Sequence, residues 1–431
     1  MSKEENRKNF SKYVSQNILG MIGFSCYVLA DSYFISIAKG ADGLTALNLV
    51  MPLYSIIFSI GEMIGVGSAI RYAISKIKKD ADADDYFWNA IIWCIMSSMI
   101  FVFAGIFFSA DIMRVLGADE HIVAVGNNYT KIFMCFAPMF MCNYVTNAFV
   151  RNDGAPGIAM SATLFSSLFN IVFDYILMFP MNLGMEGAAL ATALSPIIGM
   201  GICSVHFFSK KSSVRLVVCK PSVRKLVAGS QLGVSAFVGE MSSAVITLAF
   251  NFVILKLAGN VGVAAYGVVA NIAIVTTAVF NGVAQGSQPL ISSCFGRGDK
   301  DGCTQLKRMG YTTAFVLAAV MYSILFIFAG QFVAVFNSEG SEMLRLYATE
   351  GVKLYFIGIF FAGINIVGGG AFSATEDAFK AAVVSVARGF VLILGAVFVM
   401  SALFGMTGVW LAYAVAEGIT TFIMLVMVLR V

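Results

Sequence analysis

The chain has 431 residues, of which 59% are hydrophobic and 12% are charged, and its formal net charge is +4. A soluble domain carries about 25% charged residues, so this composition excludes an ordinary water-soluble fold. The apolar runs are long and unbroken, whereas the strands of a membrane barrel alternate between polar and apolar residues. The composition therefore predicts an all-α integral membrane protein, in which lipid replaces water around the apolar side chains.

Twelve apolar segments follow one another, each near the ~20 residues that a helix needs to cross a bilayer. We predict spans one to twelve at residues 15–37, 46–74, 87–108, 126–150, 158–179, 185–208, 226–257, 264–294, 309–334, 346–371, 379–402 and 406–430. With a cytoplasmic N-terminus, 21 of the 28 Lys and Arg residues fall in cytoplasmic segments and 6 in external ones. This asymmetry follows the positive-inside rule, so we expect a multi-pass protein of the cytoplasmic (inner) membrane with both termini inside.

The chain lacks the motifs of enzymes and of metal proteins. Its eight cysteines form no CxxC pair, so we expect reduced thiols, and its two histidines lie in separate segments. No nucleophile–base pair stands out, and we expect neither a catalytic site nor a cofactor. The basic balance reflects membrane topology, so we do not expect nucleic-acid binding.

The two halves of the sequence repeat each other. At an offset of 219 residues, Gly40 matches Gly259 and Gly67 matches Gly286, and at an offset of 221, Gly184 matches Gly405. The repeating unit has six spans, an even number, so both halves enter the membrane from the same side. We predict an N-lobe at 1–208, a cytoplasmic linker at 209–225 and a C-lobe at 226–431. A substrate cavity between two such lobes is the functional interpretation, and a purely architectural repeat is the alternative.

Ionisable groups inside a bilayer are costly and are usually functional. The first lobe holds two carboxylates, an amide and a hydroxyl in spans one, five and six: Asp31, Asn170, Asp174 and Thr192. These hard oxygen donors suit Na⁺ and suit a proton equally well. The matching positions of the second lobe are Phe250, Val391, Gly395 and Tyr413, so the architecture does not require the polar groups. Helix association through hydrogen bonds is the structural alternative.

Four other charged residues lie within spans and are weaker candidates for a substrate cavity: Glu62, Glu240, Arg388 and Glu417. Glu62 either lines the cavity or forms hydrogen bonds across packed helices. Glu240 is placed to meet a cationic substrate. Arg388 and Glu417 form either a structural ion pair within the second lobe or part of a functional site. Basic residues of the loops are expected to face solvent or lipid headgroups.

Several motifs, in this order and spacing, resemble the multidrug and toxic compound extrusion (MATE) family, in particular its bacterial DinF/MepA-like branch. Asp31 begins a DSYF segment similar to the VDTxFxG motif of the family. GADGLTALNLVMPLY, RNDGAPGIAM and NIVFDYILMFPMNLGMEGAALATALSP follow it. The resemblance covers residues 12–430 and implies a V-shaped pair of six-helix lobes.

The resemblance also implies residue roles. Asp31, Asn170, Asp174 and Thr192 match the cation-binding cluster of the family's N-lobe. Two features depart from the family pattern. The proline common in the first half of span one is missing near Gln16, and the acidic residue of span ten has no match. Glu240 lies about one turn earlier than the span-seven Glu of the NorM-like branch, so that role is not transferred.

These features predict a secondary active transporter: a cation-coupled (H⁺ or Na⁺) multidrug efflux antiporter that exports organic, cationic and amphipathic compounds by alternating access. We expect small organic molecules and membrane lipid as its partners, and a monomer. The alternative is a lipid-linked precursor flippase of the same superfamily. Such flippases often have several cationic residues in the cavity, whereas Arg388 is here the only basic residue well inside a predicted span. A channel or receptor is disfavoured by the two-lobed repeat with its asymmetric cluster.

Overall fold

The structure is a computed structural model that describes residues 3–336 and 340–429. The described residues form helices and short connections, with no β-strand among them. Residue 430, at the end of predicted span twelve, lies outside the described residues. The first half of the chain forms α1 (Lys3–Lys78), α2 (Asp85–Val115), α3 (Glu120–Cys135), α4 (Ala137–Asn152), α5 (Pro156–Met178) and α6 (Gly184–Phe207).

The second half begins with α7 (Val223–Gly296) and continues with α8 (Lys300–Ile327), α9 (Ala329–Phe336) and α10 (Glu342–Tyr355). A short 3₁₀ turn, Phe356–Gly358, joins α10 to α11 (Ile359–Ala374). A π-helical turn, Ala387–Val391, lies between α12 (Ala378–Val386) and α13 (Leu392–Leu429). Since α7 begins at Val223, the connection between the halves is shorter than the predicted linker 209–225 and ends at residue 222.

Helix length shows that several of these elements cross the membrane twice. The 74 residues of α7 would extend about 110 Å as one straight helix, against a hydrocarbon core of about 30 Å. The helix reverses instead at Gly259, where φ is 62° and ψ is −158°. Glycine adopts such a conformation readily because it has no Cβ. Gly40 reverses α1 and Gly405 reverses α13 in the same way.

Twelve spans result from these reversals. Nine separate helical runs of the described chain are long and apolar enough to span a bilayer, and α3 with α4, bent by 46° at Phe136, makes a tenth. The turns at Gly259 and Gly405 divide two of the nine into two spans each. The prediction of an all-α, twelve-span protein is therefore confirmed, although the sequence did not reveal the bend at Phe136.

The sequence repeat has a counterpart in the backbone. Gly40 (φ 58°, ψ −143°) and Gly259 (φ 62°, ψ −158°) share one conformation, and Gly184 and Gly405 both have φ between 50° and 60°. Each of these glycines occupies the position at which the chain turns into the next helix. The two six-span units, formed by α1–α6 (N-lobe) and α7–α13 (C-lobe), are therefore parallel copies of one architecture.

The lobes pack most extensively through α1 and α7. The backbones of α1 and α7 pack directly against each other there, without room for a side chain. A Cβ on Gly67 of α1 would lie 2.1 Å from Gly229 O of α7. In the pseudo-symmetric contact, a Cβ on Gly286 would lie 2.7 Å from Val14 Cα. These contacts lie in the half of the molecule that carries the start of α1 and the connection between α6 and α7, which we call the basic end.

Ion pairs join the lobes at the same basic end. Arg71 at the end of α1 pairs with Glu376, in the turn between α11 and α12, and Lys78 lies 3.5 Å from the same carboxylate. Lys225 at the start of α7 lies 2.5 Å from Asp85 of the N-lobe. Close glycine packing and ion pairs together hold the two lobes against each other at this end.

Candidate functional site

The four polar residues predicted to form a cluster are buried where α1, α5 and α6 meet. Asp31 lies on α1, Asn170 and Asp174 on α5, and Thr192 on α6. Their exposed fractions range from 0% for Asn170 and Asp174 to 7% for Asp31. The four-residue spacing between Asn170 and Asp174 places both on one face of α5, as the sequence predicts.

Hydrogen bonds connect the α5 and α6 members of the cluster. The Asn170 amide lies between Asp174 and Thr192, and with its nitrogen turned towards Asp174 it donates to Asp174 Oδ2 at 3.1 Å. In that orientation its oxygen accepts from Thr192 Oγ1 at 3.2 Å and from Thr192 N at 3.3 Å. The amide thereby fixes the Asp174 carboxylate against α6.

Each carboxylate of the cluster keeps one oxygen without a partner. Asp31 Oδ1 and Asp174 Oδ1 are buried and accept no hydrogen bond. The two carboxylates are close enough to interact electrostatically. A buried ionised carboxylate is costly unless it is paired or neutralised. The arrangement therefore favours a cation or a proton between or beside the two groups.

Three tyrosines that were not predicted from the sequence lie near the cluster. Tyr27, Tyr54 and Tyr129 all lie within electrostatic reach of Asp31. The hydroxyls of Tyr54 and Tyr129 share a hydrogen bond, and the Tyr54 ring stacks on Phe133 with 3.6 Å between ring centroids. Tyr27 precedes Asp31 by four residues, one helical turn, and that spacing is the signal by which the sequence alone would have revealed it.

An open cavity, with about 1040 Å³ of empty space including the solvent at its mouth, lies next to the cluster and is lined mainly by the N-lobe; we call it the N-lobe cavity. Aromatic side chains form much of its wall: Phe24, Tyr27, Phe58, Phe140 and Tyr144. Tyr27 belongs to both the cavity wall and the surroundings of Asp31, so it joins the two sites. A second cavity of about 750 Å³ lies against the C-lobe, and Glu62, Glu240 and Gln285 line both cavities.

Three of the four weaker candidates are thus placed on cavity walls. Glu62 and Glu240 lie at the junction of the two cavities, and Arg388 lines the second. Glu417 lies behind Arg388, with a side chain that is 3% exposed, and accepts from Arg388 Nη2 at 2.7 Å. Arg388 and Glu417 therefore form the ion pair that was one of the two roles predicted for them from the sequence.

Arg151 is buried, whereas its place just after predicted span four put it among the loop residues expected to face solvent or lipid headgroups. Helix α4 continues to Asn152, and Arg151 is only 5% exposed. Its Nη1 donates to Gln285 Oε1 at 2.6 Å, and Gln285 Nε2 donates to Glu62 Oε1 at 3.2 Å. Arg151 also lines the N-lobe cavity, so Arg388 is not the only basic residue within the membrane-crossing bundle.

Comparisons with known proteins agree with this architecture. A family model described as MatE matches residues 17–176 and 236–399, two segments that begin 219 residues apart, like the paired glycines. The multidrug export protein MepA of Staphylococcus aureus (strain MRSA252) is 27% identical over 414 residues, which are 93% of this chain and 89% of that protein. MepA of Staphylococcus saprophyticus is 26% identical over 410 residues, with the same coverage.

Solved structures share the fold. An outward-facing multidrug resistance MATE family transporter of the MOP superfamily superposes with a TM-score of 0.92 at 20% identity, covering 99% of this chain and 96% of that one. A MOP superfamily transporter from Pyrococcus furiosus, described by the reverse polarity of its binding pocket, gives 0.90 at 19% identity, with 98% and 95% covered. Because the family model matches well over half of its residues, the chain belongs to the MatE family of membrane transporters and is not an enzyme.

Proposed function

We propose that this transporter is a multidrug efflux antiporter that exchanges inward-moving H⁺ or Na⁺ for an outward-moving organic, cationic and amphipathic compound. The MepA relatives are multidrug export proteins, which supports efflux of organic compounds. The observation that carries the coupling is the pair of buried carboxylates, Asp31 and Asp174, each with an oxygen that has no partner. A cation or proton that binds there removes the cost of the buried charge.

Helix α1 provides the physical connection between ion binding and lobe motion. It carries Asp31 in the cluster and, about five turns earlier, Val14 in the contact with Gly286 of the C-lobe. Ion binding at Asp31 draws α1 towards α5 and changes its packing against the other lobe. Coupling requires that ion and substrate prefer different states of the protein, and we propose that the position of α1 differs between these states.

By the positive-inside rule, we expect the basic end to face the cytoplasm. The lobes are joined there by Gly67, Gly286 and the ion pairs at Glu376. Because the lobes are joined at this end, we infer that the structure corresponds to the state that releases substrate outside. Alternation requires these cytoplasmic contacts to separate.

The test is efflux of a cationic dye from proteoliposomes under separately imposed Na⁺ and pH gradients. Asp31→Asn and Asp174→Asn are expected to abolish gradient-driven efflux while the purified proteins still bind the dye. The matched control is Asp111→Asn. Asp111 is an exposed carboxylate of α2, with a side chain that is 63% accessible, so this variant should behave as wild type. Unchanged efflux in both cluster variants would rule out the coupling role.

One observation favours the lipid-linked precursor flippase as a second candidate. Arg151 in the cavity wall adds a cationic group that an anionic lipid headgroup would require. Glu62 and Glu240 face the same space, and two carboxylates oppose binding of a diphosphate. Flipping of a fluorescent isoprenyl diphosphate in vesicles without any ion gradient would support the flippase instead of the antiporter.

A further inference from the structure

The linker between the lobes, residues 209–222, is attached to the N-lobe near both of its ends. Near its start, Ser213 N donates to Asp153 Oδ2 at 2.9 Å. At its end, Ser222 N donates to Asn89 Oδ1 at 2.7 Å. Because the backbone is held at these two points, the residues between them keep one face against the N-lobe and present the other face outwards.

Three consecutive apolar residues lie on this outward face. The exposed fractions are 46% for Leu216, 44% for Val217 and 77% for Val218. A run of apolar side chains in contact with water is unfavourable, and proteins avoid it unless the run has a binding role. The face therefore needs an apolar environment that the linker and the N-lobe do not supply.

Four cations flank the apolar residues, and none of them takes part in an ion pair or a side-chain hydrogen bond with any described residue. They are exposed and stand at Lys210, Lys211, Arg215 and Lys220. The linker itself contains no Asp or Glu. Its outward face is therefore positively charged as well as apolar.

Most of the nearest acids are already neutralised by other lysines. The turn between α1 and α2 contains four aspartates within residues 80–85. Lys76 lies 2.6 Å from Asp84. Lys225, in the first turn of α7, lies 2.5 Å from Asp85 and 3.0 Å from Asp82. Three of the four carboxylates are thus occupied, so the four linker cations require an anion from outside the chain.

The end of the linker lies at the level at which α2 enters the membrane. Helix α2 begins at Asp85, and Asn89 lies about 6 Å further along its axis. Cys219 Sγ donates to Asp85 O at 3.6 Å, and Ser222 N reaches Asn89. The helices on both sides of the linker, α6 and α7, are membrane-crossing helices as well. The exposed face is therefore next to the headgroup region of the bilayer.

We propose that the linker is a membrane-binding segment whose partner is the anionic lipid of the surrounding bilayer. Leu216, Val217 and Val218 enter the boundary between headgroups and acyl chains, and the four cations bind the phosphate groups of anionic headgroups. Apolar side chains and a cluster of Lys and Arg beside a membrane span are the two components of such binding. Each cation near an anionic surface favours the bound linker about fivefold. The inference does not depend on which compound the transporter exports.

Electron paramagnetic resonance tests the proposal with a nitroxide on Val218→Cys in the full-length protein, in a background without other accessible thiols. The ratio of collision rates with oxygen, which is concentrated in lipid, and with a water-soluble nickel chelate reports whether the label lies in lipid or in water. The protein is placed in vesicles of phosphatidylcholine alone or of an equal mixture with phosphatidylglycerol.

We expect the label to lie in lipid in the mixture and to be more exposed to water in phosphatidylcholine alone. About 1 M salt should reduce the difference, because the Debye length then falls to about 3 Å. A label that stays in water in both kinds of vesicle overturns the proposal and favours a soluble partner for this face. A label that lies equally deep in both kinds of vesicle overturns the role of the cations.

Charge variants localise the effect. Replacing the four linker cations by glutamine removes four contributions of about fivefold each, so the label should be exposed to water even with phosphatidylglycerol. The matched control replaces four other exposed cations of the basic end, namely Arg7, Lys8, Lys12 and Lys300, and should leave the label in lipid. Equal changes in both variants would indicate a general effect of net charge and contradict a site in the linker. If the linker variant does not insert correctly, the comparison of the two lipids decides, because it requires no charge variant.

Discussion

Replacing Gly233 by alanine places a methyl group against the backbone of the other lobe. An ideal Cβ at this position of α7 would lie 2.0 Å from Met63 O, which is 1.4 Å short of the 3.4 Å at which ordinary contact begins. The neighbouring atoms are Met63 C at 2.7 Å and Met63 Cα at 2.8 Å, all of them backbone. No side-chain rotation relieves the overlap, so α1 and α7 must separate.

The size of the effect follows from this overlap. Forcing an extra methyl group into a packed contact costs about 1–3 kcal/mol. Since about 1.4 kcal/mol is a factor of ten in an equilibrium constant, the population in which the basic end is closed falls roughly 5- to 150-fold relative to the open one. The overlap exists only where the two lobes contact each other. It therefore destabilises the arrangement in which the basic end is closed and does not destabilise the fold of either lobe.

Double electron–electron resonance measures the separation directly. Nitroxide labels on Asp80→Cys and Lys300→Cys, exposed positions of the two lobes at the basic end, report the distance between them in a background without other accessible thiols. Gly267→Ala on the same helix α7 is the control, because nothing lies within 4 Å of its Cβ. We expect longer distances for Gly233→Ala only. Identical distance distributions for both alanine variants would refute the reasoning.

Three further predictions concern other parts of the molecule. Glu376→Gln removes the partly exposed inter-lobe ion pair, which contributes up to about 1 kcal/mol, so the same labels should report a smaller opening than for Gly233→Ala. Asp153→Asn removes the negative charge of the carboxylate that accepts a hydrogen bond from Ser213 N at 2.9 Å, so the linker should be held less firmly. Trypsin should then cleave the linker at 209–222 faster, and an unchanged rate contradicts this. Gly405→Ala should destabilise by about 1–3 kcal/mol through its backbone alone, seen as a lower Tm than for Gly395→Ala, whose Cβ also meets nothing within 4 Å.

Much of the fold could be predicted from the sequence because lipid imposes a simple rule. Each span must satisfy its own backbone hydrogen bonds, so a run of about 20 apolar residues is already a helix. The glycine pairs of the repeat were equally informative. Gly40 and Gly259 match in sequence because both occupy a backbone conformation that other residues avoid. The bend at Phe136 was not predicted, since α3 and α4 form one continuous apolar run.

The candidate site was predictable in part. Asn170 and Asp174 lie four residues apart, and that spacing alone places them on one helical face. The burial of Arg151 and its contact with Gln285 could not be predicted, because the hydrophobic pattern at the end of a helix does not show whether the last turn meets solvent or another lobe.

Local spacing thus determined the spans, the turns and the polar face of α5, since each depends on residues that are close together in the chain. The tertiary structure alone decided which side chains of distant helices meet. Gln285 contacts Glu62 of the other lobe across 223 positions of sequence, and Asn365 contacts Glu417 of the same lobe across 52. Such contacts depend on the rotation of each helix about its axis and on how closely neighbouring helices pack. Those quantities are set by the packing of the whole bundle, which no single helix encodes.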